Sequence, residues 1–140
     1  MNGAVLGVDL GAARIGIAIC EAPGLPAVPL TTIPHTNRQE DIAAIVSLAH
    51  ERKATRIVVG NPIRMNGTAG PAAQLAGTFM RELQRRFDGE VVAQDERFTT
   101  AAAARRLRDI PVSGSKRRRR IDQIAAVEIL DAYLAKEGSP

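Results

Sequence analysis

Three acidic residues of this sequence stand where a carboxylate could take part in chemistry. Asp9 follows the apolar stretch Ala4–Val8, Glu96 follows the β-type segment Glu90–Asp95, and Asp122 lies near the start of the last helical segment, in "RRRRIDQIAA". A buried carboxylate is costly unless a partner compensates it. If the three acids meet at one edge of a sheet, they repel one another unless cations bridge them. Oxygen ligands without a nearby His or Cys cluster favour Mg²⁺ or Mn²⁺.

Each acid also has a simpler interpretation, which the sequence leaves open. Asp9 could accept hydrogen bonds from the amides of the glycine turn that follows it. Glu96 could form a surface ion pair with Arg97 or Arg14. Asp122 could be stabilised by the helix dipole, if it lies in the first helical turn. Ala126, Ile129 and Tyr133 lie on the same face of the helix as Asp122, which predicts that this face packs against the rest of the protein.

Basic residues are concentrated near the carboxylate in the last helical segment. The net charge is only +4, but Arg105 and Arg106 are followed by the run Lys116-Arg117-Arg118-Arg119-Arg120. Such a cluster is typical of a polyanion-binding surface, although a solvated face is the alternative. A carboxylate cluster beside it predicts two-metal cleavage of phosphodiester bonds. Aromatic residues make up only 3%, so contacts to the nucleic acid backbone should dominate over base stacking.

A glycine-containing stretch before the second helical segment is a candidate phosphate-binding loop. Gly60 and Gly67 could let the backbone approach a ligand, and Thr68 is predicted to cap a helix whose amino end would attract a phosphate. Asn66 belongs to this loop, and Arg64 lies beside it. The alternative is that these glycines only form turns.

The elements that must position these residues are read from periodicity. Alternating and helical patterns predict the order β-β-β-α-β-α-β-α-α, an α/β fold with a mixed five-stranded sheet and helices on both faces. The predicted strands are 4–10, 14–20, 28–33, 56–59 and 90–95; the predicted helices are 37–52, 68–87, 99–108 and 117–135.

Length and composition indicate one soluble domain over residues 1–140. The chain is 45% hydrophobic and 24% charged, and no apolar run is long enough for a membrane span. No signal-type segment is found at the amino end. Cys20 is the single cysteine, so an intramolecular disulfide is excluded and a reducing cytoplasm is expected.

Four segments together resemble the RuvX/YqgF family. They are "GVDLGAARIGIAI" (7–19), "VVGNPIRMNGTAG" (58–70), "DERFTTAAA" (95–103) and "RRRIDQIAAVEIL" (118–130), and they span nearly the whole chain. The family comprises bacterial proteins with a ribonuclease H-like fold, described as Holliday junction resolvases and pre-16S rRNA nucleases. Two departures concern the loop: Asn61 replaces an apolar residue, and Asn66 replaces a common aspartate.

The resemblance implies an endonuclease whose catalytic and metal-binding acids are Asp9, Glu96 and Asp122, with two Mg²⁺ or Mn²⁺ ions. The predicted nucleic-acid-binding residues are Arg14, Arg64, Arg97, Arg105, Arg106, Lys116, Arg117, Arg118, Arg119 and Arg120. The predicted substrate is branched DNA or precursor rRNA, and resolution of a four-way junction would favour a homodimer. Two other readings remain: a non-catalytic nucleic-acid-binding or ribosome-assembly factor, and an actin-like ATP-binding domain, for which 140 residues supply only one lobe.

Overall fold

A five-stranded mixed sheet forms the centre of the molecule. The structure, a computed structural model, describes residues 3–11, 13–62, 67–96 and 115–137. The strands are β1 (Ala4–Leu10), β2 (Arg14–Cys20), β3 (Val28–Pro34), β4 (Ala54–Asn61) and β5 (Glu90–Asp95). The helices are α1 (Arg38–Glu51), α2 (Pro71–Arg86) and α3 (Ser115–Glu137). The predicted α/β class and the five strands are confirmed; the helix predicted over 99–108 lies outside the described residues.

The strand directions bring three strand ends together. The order across the sheet is β3-β2-β1-β4-β5; β1, β2 and β3 are antiparallel neighbours, whereas β1, β4 and β5 run parallel. Parallel neighbours need a crossover element, and α2 supplies it between β4 and β5. β1, β4 and β5 therefore all finish at one end of the sheet, which we call the carboxyl edge.

The sheet separates two hydrophobic cores because its inner strands are apolar on both faces. On one face, residues such as Leu6, Val8 and Ile17 pack against buried side chains of α1 and α2. On the other face, Val5, Ala18 and their neighbours pack against α3. Helices on both faces are thereby confirmed. Alternate residues of a strand share a face, so residues 5, 7 and 9 of β1 all face α3.

Two helices begin elsewhere than their sequence patterns predict. α2 begins at Pro71 with Gly70 as its N-cap, so the prediction that Thr68 caps this helix is wrong. A residue before proline is restricted to extended backbone, and Gly70 has φ −84° and ψ −174°. α3 begins at Ser115, so the basic run lies within its first two turns.

No helix in the described part of the chain is long and apolar enough to cross a membrane.

Cys20 is a buried free thiol in the core beneath α3.

Candidate active site

Asp9 lies in the middle of the sheet, on the face covered by α3. It is the last residue but one of β1, its side chain is fully buried, and it pairs with Gly16 of β2. At position 16 a side chain would clash with α3, so only glycine fits there. A Cβ there would lie 2.2 Å from the carbonyl oxygen of Asp122 and 3.3 Å from its Cβ. The close approach of α3 to β2 thus places Asp122 directly beside the strand position opposite Asp9.

Glu96 approaches Asp9 from the other side. Its backbone N–H donates to the carbonyl of Asn61 at 3.2 Å, which extends the β4–β5 pairing by one residue. A Cβ on Gly60 would lie 2.8 Å from Glu96 Cδ and 3.0 Å from Oε1. The carboxyl group of Glu96 therefore lies over β4, the strand next to β1. Gly60 stands one residue beyond the last β1–β4 pair, Val8–Val59, as does Asp9.

The three acids consequently form a row across neighbouring strands. Asp122 lies over β2, Asp9 is on β1, and the Glu96 carboxyl lies over β4; we call this set the carboxylate row. Neighbouring strands are about 4.8 Å apart, so the row spans about 10 Å at the carboxyl edge. All three side chains are at most 2% exposed. Glu96 is therefore not a surface residue, contrary to its simpler interpretation, and Arg97, the ion-pair partner considered for it, lies outside the described residues.

Arg14 supplies a positive charge at one end of the carboxylate row. Its Nε lies 2.7 Å from Asp122 Oδ2, and its own side chain is 23% exposed. Asp122 is the eighth residue of α3, so the interpretation that it gains from the dipole of the first helical turn is wrong. Its predicted packing stripe is confirmed, since Ala126, Ile129 and Tyr133 are buried.

The donor chemistry of the row fits Mg²⁺ or Mn²⁺, since it consists of carboxylate oxygens only. The fit is incomplete in the arrangement observed. Within residues 3–11, 13–62, 67–96 and 115–137, no three His, Cys, Asp or Glu side chains are grouped closely enough to hold one metal ion. Asp122 is ion-paired with Arg14 in this arrangement.

The basic run is brought to the same end of the sheet as the carboxylate row. Arg119 and Arg120 are exposed and stand three and two residues, respectively, before Asp122 on α3. Lys116, Arg117 and Arg118 belong to the first turns of this helix. The other predicted nucleic-acid-binding residues, Arg64, Arg97, Arg105 and Arg106, lie outside the described residues.

The candidate phosphate loop is described only in part. Gly60 serves to admit the Glu96 carboxyl, and Gly67 adopts φ +87°, the left-handed backbone expected of a turn glycine. Thr68 is exposed and precedes α2 by three residues, and Asn66 lies outside the described residues. Asn61 Oδ1 is buried, and no described residue donates a hydrogen bond to it.

Sequence reasoning missed one polar pair on the opposite face of the sheet. The Nδ1 atom of His35, an exposed residue, lies 2.5 Å from Asp41 Oδ2. Asp41 is 2% exposed and also accepts from the Thr36 amide at 3.1 Å. The available signal was the helix N-cap Asn37, which turns the chain so that residues 35 and 41 meet.

Comparisons with known proteins agree with this architecture. Residues 3–136 match the family model described as "RuvX: Holliday junction resolvase". The chain is 39% identical to a Clostridium beijerinckii protein over 93% of this chain and 94% of that relative. It is 43% identical to a Halalkalibacterium halodurans protein over 94% and 96%, respectively. Both relatives carry the name "Putative pre-16S rRNA nuclease".

A solved structure shows the same fold. Thermus thermophilus RuvC in complex with Holliday junction substrate matches with a TM-score of 0.57 and 14% identity, covering 99% of this chain and 98% of that chain. At this identity the likeness concerns the fold alone, and it confirms the predicted ribonuclease H-like architecture.

Proposed function

Because this chain belongs to the RuvX family, we propose that it is a nuclease that hydrolyses phosphodiester bonds of structured nucleic acid. The observation that carries the proposal is the carboxylate row. The absence of side chains at Gly16 and Gly60 leaves space for Asp122 and Glu96 on either side of Asp9. Buried carboxylates on neighbouring strands are costly unless cations compensate them, which a purely structural sheet edge would avoid. Such charge is expected where cations are to be bound.

In this proposal the acids of the row hold two divalent cations. When bound, Mg²⁺ or Mn²⁺ supplies activation of the attacking water and neutralisation of charge on the leaving 3′-oxygen. Asp9, in the middle of the row, would hold the cations together with Glu96 on one side and Asp122 on the other. For Asp122 to contribute, Arg14 must exchange this carboxylate for another anion, and the substrate phosphate is the natural candidate.

The basic run is proposed to hold the nucleic acid backbone. Cations at the amino end of a helix oppose the helix dipole by about 0.3–1 kcal/mol each, and α3 has no acidic residue in its first turn to compensate. A phosphate bound there would remove this conflict. Arg119 and Arg120 are therefore assigned to substrate binding, with Lys116, Arg117 and Arg118; Arg64, Arg97, Arg105 and Arg106 remain candidates from the sequence.

The decisive substitution is Asp9→Asn, which removes one charge from the centre of the row with little change in shape. We expect cleavage in Mg²⁺ or Mn²⁺ to be lost while binding of nucleic acid persists. The matched control is Asp88→Asn, the same change at an exposed position. Purified Asp9→Asn protein that cleaves as fast as the unsubstituted chain would refute the assignment.

Three substrates tested in parallel would identify the nucleic acid: a four-way DNA junction, a linear duplex and a precursor rRNA leader. Faster cleavage of the junction, by a dimer, would indicate resolution of recombination intermediates, because two symmetric cuts suit a two-fold assembly. Faster cleavage of the leader would indicate rRNA processing. The proposed setting is the cytoplasm, where the single thiol, Cys20, stays reduced.

A second candidate function is a non-catalytic nucleic-acid-binding or ribosome-assembly factor. The Arg14–Asp122 ion pair favours it, because one acid of the row is already neutralised in the described structure. Tight binding without cleavage of any of the three substrates, with both Mg²⁺ and Mn²⁺ present, would establish this alternative.

A further inference from the structure

A pocket opens at the carboxyl edge on the face of the sheet opposite the carboxylate row. Its volume is about 460 Å³, and it lies between the first turns of α1 and α2. Its inner wall is apolar and includes Leu10, Ile15 and Phe79. Its outer wall includes Ala72 and Leu75, which are exposed on α2. We call it the edge pocket.

Three polar side chains converge on one side of the edge pocket. His35 and Asp41 line it as a hydrogen-bonded pair, and Asp41 is 2% exposed. Because Nδ1 of His35 faces Asp41, its Nε2 is the ring nitrogen left to contact a ligand. Arg38 also lines the pocket and is held by Glu82 of α2 through a 3.0 Å ion pair. A pocket with apolar walls and a few fixed polar groups is typical of a small-molecule or cofactor site.

The edge pocket and the carboxylate row share one strand residue. Gly60 lines the pocket, and on its other face it lies under the carboxyl group of Glu96. The two sites are thus separated by the thickness of the sheet at its edge. A nucleic acid chain crossing this edge with a phosphodiester on the carboxylate row has a neighbouring nucleotide within reach of the pocket.

We propose that the edge pocket binds one nucleobase of the nucleic acid that is cut at the carboxylate row. A base has flat apolar faces, which suit Leu10, Ile15 and Phe79, and a polar edge, which suits the His35–Asp41 pair. Arg38 is placed to contact an adjoining phosphate. The pocket would accept a base taken out of its stack, as in other enzymes that hold a single extruded nucleotide. This inference rests on the proposed nuclease function.

The direct test uses nucleoside 5′-monophosphates and backbone amide NMR of the whole chain without divalent cations. We expect each base-containing ligand to shift signals of His35, Leu75 and Ala76, which line the pocket. Ribose 5-phosphate, which keeps the phosphate that Arg38 would contact but lacks the base, should shift those signals far less. Equal shifts with ribose 5-phosphate, or no shifts with any nucleotide, would overturn the proposal.

A matched pair of substitutions tests the position of the ligand. Ala72→Trp places a bulky side chain at the pocket, whereas Gln74→Trp makes a similar addition at an exposed position that does not line it. Both sites are on the surface of α2, so neither change should impair folding. We expect Ala72→Trp to weaken nucleotide binding by roughly ten-fold or more, as for loss of one stacked base, and Gln74→Trp to leave it unchanged. Equal affinities in the two variants would place the ligand elsewhere.

Cleavage assays separate failure of this inference from failure of the proposed function. Cleavage of nucleic acid without any nucleotide-dependent shift refutes the edge pocket alone. Nucleotide-dependent shifts at the pocket without cleavage of any substrate refute the nuclease and leave a nucleotide-binding pocket.

Discussion

Substitution of Gly60 by alanine tests whether the space over β4 exists to hold the Glu96 carboxyl. The added methyl would lie 2.8 Å from Glu96 Cδ and 2.5 Å from Ile129 Cδ1. Ordinary contact begins near 3.4 Å, so each group must retreat by somewhat less than 1 Å. Both are ends of side chains rather than backbone, so the fold can adjust. Displacement of a catalytic group by about 1 Å costs on the order of 100-fold in rate.

We therefore expect Gly60→Ala to lose roughly 10- to 100-fold in kcat/KM for cleavage. The free energy of unfolding should fall by only about 1–2 kcal/mol, as for modest overpacking. The assay combines cleavage kinetics with thermal unfolding of the same preparation, so that activity is scaled to folded protein. The control is Gly77→Ala on α2, where the nearest atom is 3.6 Å away and alanine should stabilise the helix by about 0.5–1 kcal/mol.

Two results would refute this reasoning. Full activity in Gly60→Ala would show that the position of the Glu96 carboxyl over β4 does not matter for cleavage. A loss of activity that merely follows the unfolded fraction would show that Gly60 serves packing alone.

Other parts of the structure give three further predictions. Gly16→Ala should destabilise the fold by about 3 kcal/mol or more, because its methyl group would clash with the backbone carbonyl of Asp122, which cannot rotate away. Unfolding by denaturant measures this loss. A decrease in the free energy of unfolding below about 1 kcal/mol would contradict the prediction. Alanine at Arg117–Arg120 should reduce the slope of log affinity for nucleic acid against log salt concentration by about one unit for each phosphate that is no longer neutralised. Alanine at the exposed Arg85 should leave this slope unchanged. An unchanged slope in the Arg117–Arg120 variant would show that nucleic acid binds at another surface. Burial raises the pKa of Tyr133, the only tyrosine, so its phenolate absorbance should appear above pH 10. The unfolded chain releases this proton at lower pH than the folded chain, so the free energy of unfolding should decrease as pH rises beyond about 10. Tyr133→Phe should remove that contribution.

Element types were predictable because local pattern and tertiary environment agree. The hairpin of β1 and β2, the β4–α2–β5 crossover and the packing face of α3 each follow from periodicity. The starting points of α2 and α3 were less predictable. Thr68 is a suitable N-cap by residue type, but the Gly70-Pro71 pair determines where α2 begins.

The acids themselves could be singled out from the sequence, because Asp9 ends an apolar strand and Asp122 stands on an apolar stripe. Their partners could not. Arg14 and Asp122 are 108 residues apart, and nothing local to either residue indicates the pair. The same holds for the edge pocket, which combines residues of β1, β2, α1 and α2.

The sequence by itself determined the α/β class, the order of the elements and the identity of three unusual carboxylates, because these depend on local periodicity and on the cost of burying charge. Only the tertiary structure decided how those carboxylates are arranged. Close contacts at Gly16 and Gly60 place Asp122 and Glu96 on either side of Asp9, and they depend on how α3 and β5 pack on the sheet. Distances between elements far apart in the chain are set by packing, which no single segment encodes.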